Sequence, residues 1–156
     1  KEVVTDTVSL LEYDAKERSI DIQTQFGNAN YRVLAMESDM RMLVLNLLQN
    51  AFNAMPQGGH IHVQLRSRTG NIQLSIQDSG VGIPPHILNN IFEPFFSYRP
   101  NGKKGSGLGL AICKSIVERH QGRIEVSNTD QRGSQFVVTL PDAQSHCFSQ
   151  PLAKAV

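Results

Sequence analysis

The chain has 156 residues and a mass of 17.3 kDa, which is enough for one hydrophobic core and too little for two ordinary domains. Its hydrophobic fraction of 40% and charged fraction of 19% are typical of a globular protein, and its formal net charge of +1 gives no indication of a strongly basic surface that would bind nucleic acid. No apolar run is long enough to span a bilayer, and the two cysteines, Cys113 and Cys147, form no disulfide framework. These features predict a cytoplasmic protein without a nucleic-acid partner.

The N-terminal third of the chain alternates helical and extended patterns. Apolar residues recur at helical spacing over residues 1–18, which predicts an amphipathic helix. The apolar face of this helix consists of Val4, Val8, Leu11 and Ala15. Two strand-like runs follow, residues 20–26 and 32–36. Ser38 is then expected to cap a second helix that ends at about Met55, before a proline- and glycine-rich turn.

The rest of the chain predicts a hairpin, two glycine-rich loops, a third helix and a closing pair of strands. In chain order the expected elements are strands 60–68 and 72–77, a short helix around 86–91, a helix from 108 to about 120, and strands 123–127 and 134–140. Residues 143–156 lack periodicity and are expected to form a disordered tail.

This order of elements predicts an α/β fold, a two-layer sandwich with about three main helices on one face of a sheet of about five strands. The sheet must be mixed, because the two strands of the hairpin at residues 60–77 are antiparallel. The folded domain is expected to occupy residues 1–142.

Two familiar phosphate-binding motifs are absent from the sequence. A P-loop requires Gly-Lys-Ser/Thr with another glycine five residues earlier, but Gly102-Lys103 is followed by Lys104 and preceded at that distance by Ser97. The glycines of residues 105–109 also lack the third spacing of the dinucleotide fingerprint. A nucleotide would therefore bind by a different device.

Three asparagines form a polar stripe on the second predicted helix. At 100° per residue, Asn46, Asn50 and Asn53 fall within roughly 60° of one another on the helical wheel. Asparagine is a poor helix former, and buried carboxamides require hydrogen-bonding partners. The stripe fits either the wall of a polar cavity or the solvent face of an ordinary amphipathic helix.

Two glycine-rich segments follow. Asp78 stands at a strand end before Gly80 and Gly82, where it would accept a hydrogen bond from an amine such as that of adenine, although the segment also fits a simple turn. Residues 105–110 open a helix, and free N–H groups at a helix N-terminus bind anions; a flexible hinge is the alternative.

Together and in this order, the segments resemble the histidine-kinase branch of the superfamily that also contains DNA gyrase, heat-shock chaperone ATPases and mismatch-repair ATPases. Residues 46–51 resemble the asparagine box of that family, and residues 78–83 its first glycine box. Residues 92–96 are similar to the phenylalanine box, and residues 105–112 to the second glycine box. The resemblance covers about residues 3–141, and residues 97–100 are similar to the lid of nitrogen-regulator-type sensor kinases.

The resemblance implies that ATP binds between the helical face of the sheet and a mobile lid, roughly residues 96–105. Asn50 would ligate Mg²⁺, because this ion takes oxygen ligands and retains phosphates and waters. Asn46 and Arg99 would belong to the catalytic site. The other implied ATP-binding residues are Asn53, Asp78, Gly80, Gly82, Ile83, Phe95, Lys103, Lys104, Gly105, Ser106, Gly107, Leu108, Gly109, Leu110 and Phe136.

The sequence departs from the family at positions that often carry charged or polar side chains. Asn53 replaces a basic residue that helps to hold phosphate in relatives, and Met36 and Met42 replace polar residues. A binding-only pseudokinase is therefore one alternative. An anti-sigma serine kinase is another, although such relatives generally lack the phenylalanine box.

A hydrolysing ATPase is the third alternative. Hydrolytic relatives place a glutamate base four residues before the metal-binding asparagine, where this chain has Asn46, and an amide does not accept a proton at neutral pH. The resemblance therefore favours transfer of the γ-phosphoryl group of Mg-ATP to a histidine on a separate dimerisation domain. A response regulator would receive it next. The fragment is expected to be monomeric, and its parent a homodimeric sensor that is membrane-bound in some families.

Overall fold

A computed structural model describes residues 1–98, 105–129 and 132–143 of the chain. The helices are α1 (Glu2–Glu17), α2 (Glu37–Ala54) and α3 (Gly109–Arg119), with a 3-10 helix at Pro85–Ile87. The strands are β1 (Ile20–Phe26), β2 (Gly59–Arg68), β3 (Asn71–Asp78), β4 (Arg123–Asn128) and β5 (Ser134–Pro141). The predicted tail, residues 143–156, lies outside the described residues except for residue 143, and so does the central part of the predicted lid, residues 99–104.

The strands form one mixed sheet in the order β1-β2-β3-β5-β4. β1 pairs with β2 in parallel, and every other neighbouring pair is antiparallel. β2 and β3 form the predicted hairpin, in which Arg68 lies opposite Asn71. The mixed five-stranded sheet confirms the predicted fold class.

One face of the sheet is buried beneath the helices. Burial alternates strictly along β3 and β5, as expected when one face of a sheet meets the core and the other meets solvent. α2 packs against both α1 and α3. The largest fully buried apolar side chains are Leu43, Leu47, Leu48, Ile61, Ile76, Val44, Val63, Val117 and Val138. The predicted apolar face of α1 is confirmed, since Val4, Val8, Leu11 and Ala15 are all buried.

A charged cluster fixes how α2 and α3 lie against each other. Asp39, in the first turn of α2, lies 3.1 Å from Nε2 of His120 and 3.1 Å from the guanidinium of Arg119. Both partners belong to the C-terminal end of α3. The opposite end of α3 is therefore directed along α2 towards Asn46, whose side-chain oxygen lies beside Gly109.

Three element predictions were wrong in detail. Residues 32–36 form no strand. The segment pairs with none of the described strands, and its Leu34 side chain is 78% exposed. Ser38 does not cap α2, which begins at Glu37 with Met36 in the cap position. Residues 86–91 form only the end of the 3-10 helix and turns, in which N–H groups such as that of Ile87 bond three residues back.

Among the helices that the structure describes, none is long and apolar enough to cross a membrane.

Candidate nucleotide-binding site

A cavity of about 400 Å³ opens between α2, the loop after β3 and the N-terminal end of α3. The predicted site residues that line it are Asn46, Asn50, Asn53, Gly82, Ile83, Gly105, Ser106, Gly107, Leu108, Gly109, Leu110 and Phe136. The structure thus brings together residues from the asparagine box, both glycine boxes and β5. The volume of the cavity is within the usual range for small-molecule sites.

The asparagine stripe of α2 faces this cavity, so the solvent-face interpretation of the stripe is wrong. Asn46, Asn50 and Asn53 all contribute to the wall. Asn46 donates a hydrogen bond from Nδ2 to the carbonyl of Met42 at 2.9 Å. The side-chain nitrogen of Asn50 is buried and has no hydrogen-bond partner among the described residues. An unsatisfied buried polar group costs about 1–3 kcal/mol, so the Asn50 nitrogen is placed to donate a hydrogen bond to a ligand or water.

The donor set fits Mg²⁺ bound together with a nucleotide rather than by protein alone. In the described part of the chain, no group of three or more His, Cys, Asp or Glu residues is placed to hold a metal ion. The Asn50 carboxamide offers one oxygen, and Mg²⁺ commonly takes few protein ligands and completes its shell with phosphates and waters. A metal at this site would therefore arrive with phosphate.

Asp78 lies at the end of β3, behind the cavity wall, and is only 3% exposed. Its Oδ1 accepts hydrogen bonds from the backbone N–H of Gly80 at 2.8 Å and of Ser134 at 3.3 Å. Its Oδ2 accepts one from the Ser134 hydroxyl at 2.6 Å. A carboxylate has about four acceptor positions, so these three bonds orient Asp78 and leave capacity for one donor from a ligand.

The first glycine box forms a tight loop between α2 and the β4–β5 turn. A Cβ atom at Gly80 would lie 2.5 Å from the carbonyl oxygen of Ala54, so the loop backbone packs directly on the end of α2. Gly82 has a φ of +74°, a conformation that favours glycine. Gly80 itself contributes to this packing and does not line the cavity.

The second glycine box leads into α3, as predicted. α3 begins at Gly109, and the first amides of any α-helix lack carbonyl partners within the helix. Residues 105–110 all line the cavity, so these amides and the positive end of the helix dipole lie beside it. The geometry provides an anion site.

The phenylalanine box divides its side chains between core and solvent. Phe92 packs edge to face against Phe136, with ring centroids 6.5 Å apart, and Phe96 lines the cavity. Phe95 was predicted to bind ATP, but its side chain is 77% exposed and does not line the cavity. Its backbone N–H instead donates to the carbonyl oxygen of Gly107, and this hydrogen bond joins the phenylalanine box to the second glycine box.

The predicted basic residues of the lid, Arg99, Lys103 and Lys104, lie outside the described residues. The segments on either side of them are joined, because the N–H of Gly105 donates to the Ser97 hydroxyl at 2.9 Å.

Several lining residues were not predicted from the sequence. Ser134 is the most informative, since it contacts both the cavity and Asp78. It lies two residues before Phe136 on β5, and the period of a strand could have placed both on one face. The remaining unpredicted lining residues are Gln49, Ala54, Val81, Ile87, Ile91 and Ile112, whereas Phe96, Ser97 and Tyr98 belong to the predicted lid.

Comparison with a curated protein gives a relative of known class. Sporulation kinase A of Bacillus subtilis (strain 168) is 30% identical over 141 residues, which amount to 90% of this chain and 23% of that protein. The chain therefore spans about a quarter of the length of this relative.

Solved structures with the same fold include those of histidine kinase ThkA and of ShkA. The nucleotide-free catalytic domain of ThkA matches with a TM-score of 0.81 and 30% identity, over 90% of this chain and 91% of that chain. Full-length ShkA in complex with AMPPNP matches with a TM-score of 0.80 and 26% identity, over 91% of this chain and 30% of that chain. ThkA in complex with the response regulator protein TrrA matches with a TM-score of 0.78 and 28% identity, over 92% and 40% of the two chains.

A family match covers most of the domain. Residues 35–144 match the family described as histidine kinase-, DNA gyrase B-, and HSP90-like ATPase. The matched segment begins before the asparagine stripe and ends after β5, so it includes every element that lines the cavity. The chain belongs to this family of ATPases.

Proposed function

We propose that this chain binds Mg-ATP and donates the γ-phosphoryl group to a histidine on a separate dimerisation domain of the same sensor kinase. The phosphoryl group would then pass to an aspartate of a response regulator. The observation that carries the proposal is a cavity with the Asn50 carboxamide, whose buried nitrogen has no partner among the described residues, on one wall and the N-terminus of α3 at one end. This combination supplies a metal-coordinating oxygen beside an anion site.

The two ends of the cavity differ in chemistry, which supports one orientation of the nucleotide. The end near β3 and β5 has the apolar walls Ile83 and Phe136, and its wall residue Ser134 donates to the Asp78 carboxylate behind it. That end suits a base with an exocyclic amine. The end near residues 105–109 offers backbone amides and suits phosphates. The AMPPNP complex of ShkA is consistent with an adenine nucleotide here.

Catalysis would depend on positioning and charge rather than on a general base. Asn46 lines the cavity, and its amide cannot take a proton from water at neutral pH. Magnesium, when bound through Asn50, would neutralise phosphate charge and orient the triphosphate. Arg99, with Lys103 and Lys104, would add positive charge near the transferred group. Phosphoryl transfer to a nucleophile that is already reactive needs little more than this.

The partners follow from the relatives. A TrrA complex exists for ThkA, so a response regulator is the proposed downstream partner of the parent kinase. The acceptor histidine would lie on the parent's dimerisation domain. The proposed location of this domain is the cytoplasm, where ATP is available.

Phosphorylation of the full-length parent tests this function. The wild-type parent should acquire acid-labile phosphate from ATP in the presence of Mg²⁺, and Asn50→Ala and Asp78→Asn parents should not. Asn71→Ala, at a distant hairpin turn, is a matched control that should keep full activity. Phosphorylation of the Asn50→Ala and Asp78→Asn parents at the wild-type rate would refute the assignment of this cavity.

A further inference from the structure

The backbone of Ile83 is hydrogen-bonded on both sides by a single side chain. The N–H of Ile83 donates to Oδ1 of Asn128 at 2.8 Å, and Nδ2 of Asn128 donates to the carbonyl of Ile83 at 2.7 Å. The carboxamide thus makes the pair of bonds that a neighbouring strand would make. Ile83 lines the cavity, whereas Asn128 does not.

The residue paired with Asn128 in the sheet holds Asp78. Asn128 is the last residue of β4 and lies opposite Ser134, the first residue of β5. Ser134 holds the Asp78 carboxylate through its hydroxyl at 2.6 Å. One pair of opposed residues therefore organises both the acceptor and the apolar wall at the proposed base end.

The other hydrogen bonds that the structure describes for the loop from Ser79 to Ile83 lie towards its start. At its start, the N–H of Val81 donates to the carbonyl of Ala54 at 3.2 Å, which fixes the loop to α2. A Cβ at Gly82 would lie 3.2 Å from Oδ1 of Asn128, so the carboxamide packs tightly against the loop. Among the described residues, Asn128 supplies the side-chain hydrogen bonds of Ile83.

We propose that Asn128 is a positioning residue that fixes the Ile83 wall of the pocket before nucleotide binds. The inference rests on the proposed function of the cavity. Without the carboxamide, the loop around Ile83 would have to be ordered during binding, and that cost would reduce affinity. The cost should fall on ligands that carry a base, because the phosphate end is built by residues 105–109 on another element.

Calorimetry of the chain with Mg-ATP, together with competition by Mg-bound inorganic triphosphate against a fluorescent ATP analogue, tests this assignment. Asn128→Ala should weaken ATP binding about fivefold, since each lost hydrogen bond has a modest net value, and should change triphosphate affinity less than about twofold. Asn128→Asp should not recover wild-type ATP affinity, because a carboxylate still accepts from the Ile83 N–H but places its second oxygen against the Ile83 carbonyl, which repels it. Asn71→Ala should bind both ligands as the wild type does.

Amide hydrogen exchange gives a second readout that does not depend on nucleotide. In the nucleotide-free chain, the Ile83 amide should exchange faster in Asn128→Ala than in wild type, with the protection of the β2–β3 hairpin unchanged. Equal ATP affinity of Asn128→Ala and wild type would overturn the positioning role while leaving the proposed function intact. Equal losses for ATP and triphosphate would also overturn it, because they would indicate a general structural defect. Failure of the wild-type chain to bind ATP would instead refute the proposed function, and the inference with it.

Discussion

The Asp78 carboxylate is held by three protein donors, and this arrangement makes its role testable by an isosteric change. Asp78→Asn keeps the shape and replaces one acceptor oxygen with a donor, which would face the amine of adenine. A hydrogen bond to a charged group contributes about 1.5–3 kcal/mol, so Asp78→Asn should reduce ATP affinity by more than about tenfold. Isothermal titration calorimetry with ATP measures the change.

Because Asp78 also accepts from Gly80 and Ser134, a loss of affinity must be separated from a loss of folding. Thermal unfolding of Asp78→Asn should remain cooperative, with a lowered midpoint. Ser134→Ala removes one donor to the carboxylate and should weaken ATP binding less than Asp78→Asn does. Unchanged ATP binding in a folded Asp78→Asn chain would contradict the assignment of Asp78.

The role of Asn50 should be detectable as a dependence of ATP affinity on Mg²⁺. Asn50→Ala removes the carboxamide whose nitrogen lacks a partner, so it should cost little stability and much Mg-ATP affinity. The affinity for ATP without Mg²⁺ should change much less, since the lost oxygen belongs to the metal shell. Paired titrations with Mg²⁺ and with a chelator make the comparison. An equal loss in both series would indicate a packing residue.

The sequence predicted the residues whose position follows from a single element. Asn46, Asn50 and Asn53 share a helix face by arithmetic alone, and the structure places all three on the cavity wall. Asn128 depends on the loop that β4 meets in space, so no local pattern could reveal its bonds to Ile83. Phe95 was assigned through the family resemblance, and the structure leaves its ring exposed while the neighbouring Phe96 lines the cavity.

At the scale of elements, the contact between the phenylalanine box and the second glycine box predicts a difference between two glycines. Gly107 has a φ of +67°, and an added Cβ would lie 2.7 Å from Cα of Phe95. A Cβ added at Gly109 would lie 3.0 Å from the Asn46 side chain, which can move. Both Gly107→Ala and Gly109→Ala should impair phosphoryl transfer, and Gly107→Ala should also lower the unfolding midpoint more. A Gly107→Ala protein with wild-type stability and activity would contradict this contact.

The packing of α3 against α2 should protect a cysteine. Cys113 is fully buried with its sulfur 3.8 Å from the carbonyl oxygen of Leu43, and burial raises the pKa of its thiol to about 12. The thiolate is the reactive form, so at pH 8 iodoacetamide should alkylate folded Cys147→Ser protein at least about a hundredfold more slowly than the unfolded chain. Mass spectrometry over time measures both rates, and similar rates would contradict the packing.

Elements were predictable where periodicity and burial agree. The hairpin, α1 and the closing strands were found almost to the residue. Residues 32–36 have apolar residues typical of a strand, yet Leu34 and Met36 remain exposed and no described strand pairs with the segment. Sheet pairing is a tertiary property, and local propensity does not determine it. Consecutive prolines before residue 86 likewise favoured a 3-10 turn over the predicted helix.

For the whole molecule, the order of elements was sufficient to predict a two-layer mixed sheet, because the antiparallel hairpin excludes a purely parallel one. The order of strands in the sheet was not predicted, since it depends on β5 returning between β3 and β4. The proposed function also requires that none of the histidines of this chain is the phosphoacceptor. None of its five histidines precedes an acidic residue, as phosphoacceptor histidines of the family usually do.

The described histidines also occupy unsuitable places for an acceptor. His60 and His62 lie on β2, and His86 lies in the 3-10 helix. His120, at the C-terminal end of α3, contacts Asp39 of α2. Together with Asn46 in place of a hydrolytic base, these positions predict a chain that binds ATP but neither hydrolyses it quickly nor phosphorylates itself.

Incubation of the purified chain with γ-labelled ATP and Mg²⁺ tests this claim most directly, with and without the parent's histidine-bearing dimerisation domain in trans. The account predicts no stable label on the chain, slow release of phosphate, and acid-labile label on the added domain. An Asn50→Ala chain in the same assay should transfer no label. Stable label on this chain alone, or rapid phosphate release without the added domain, would contradict the account.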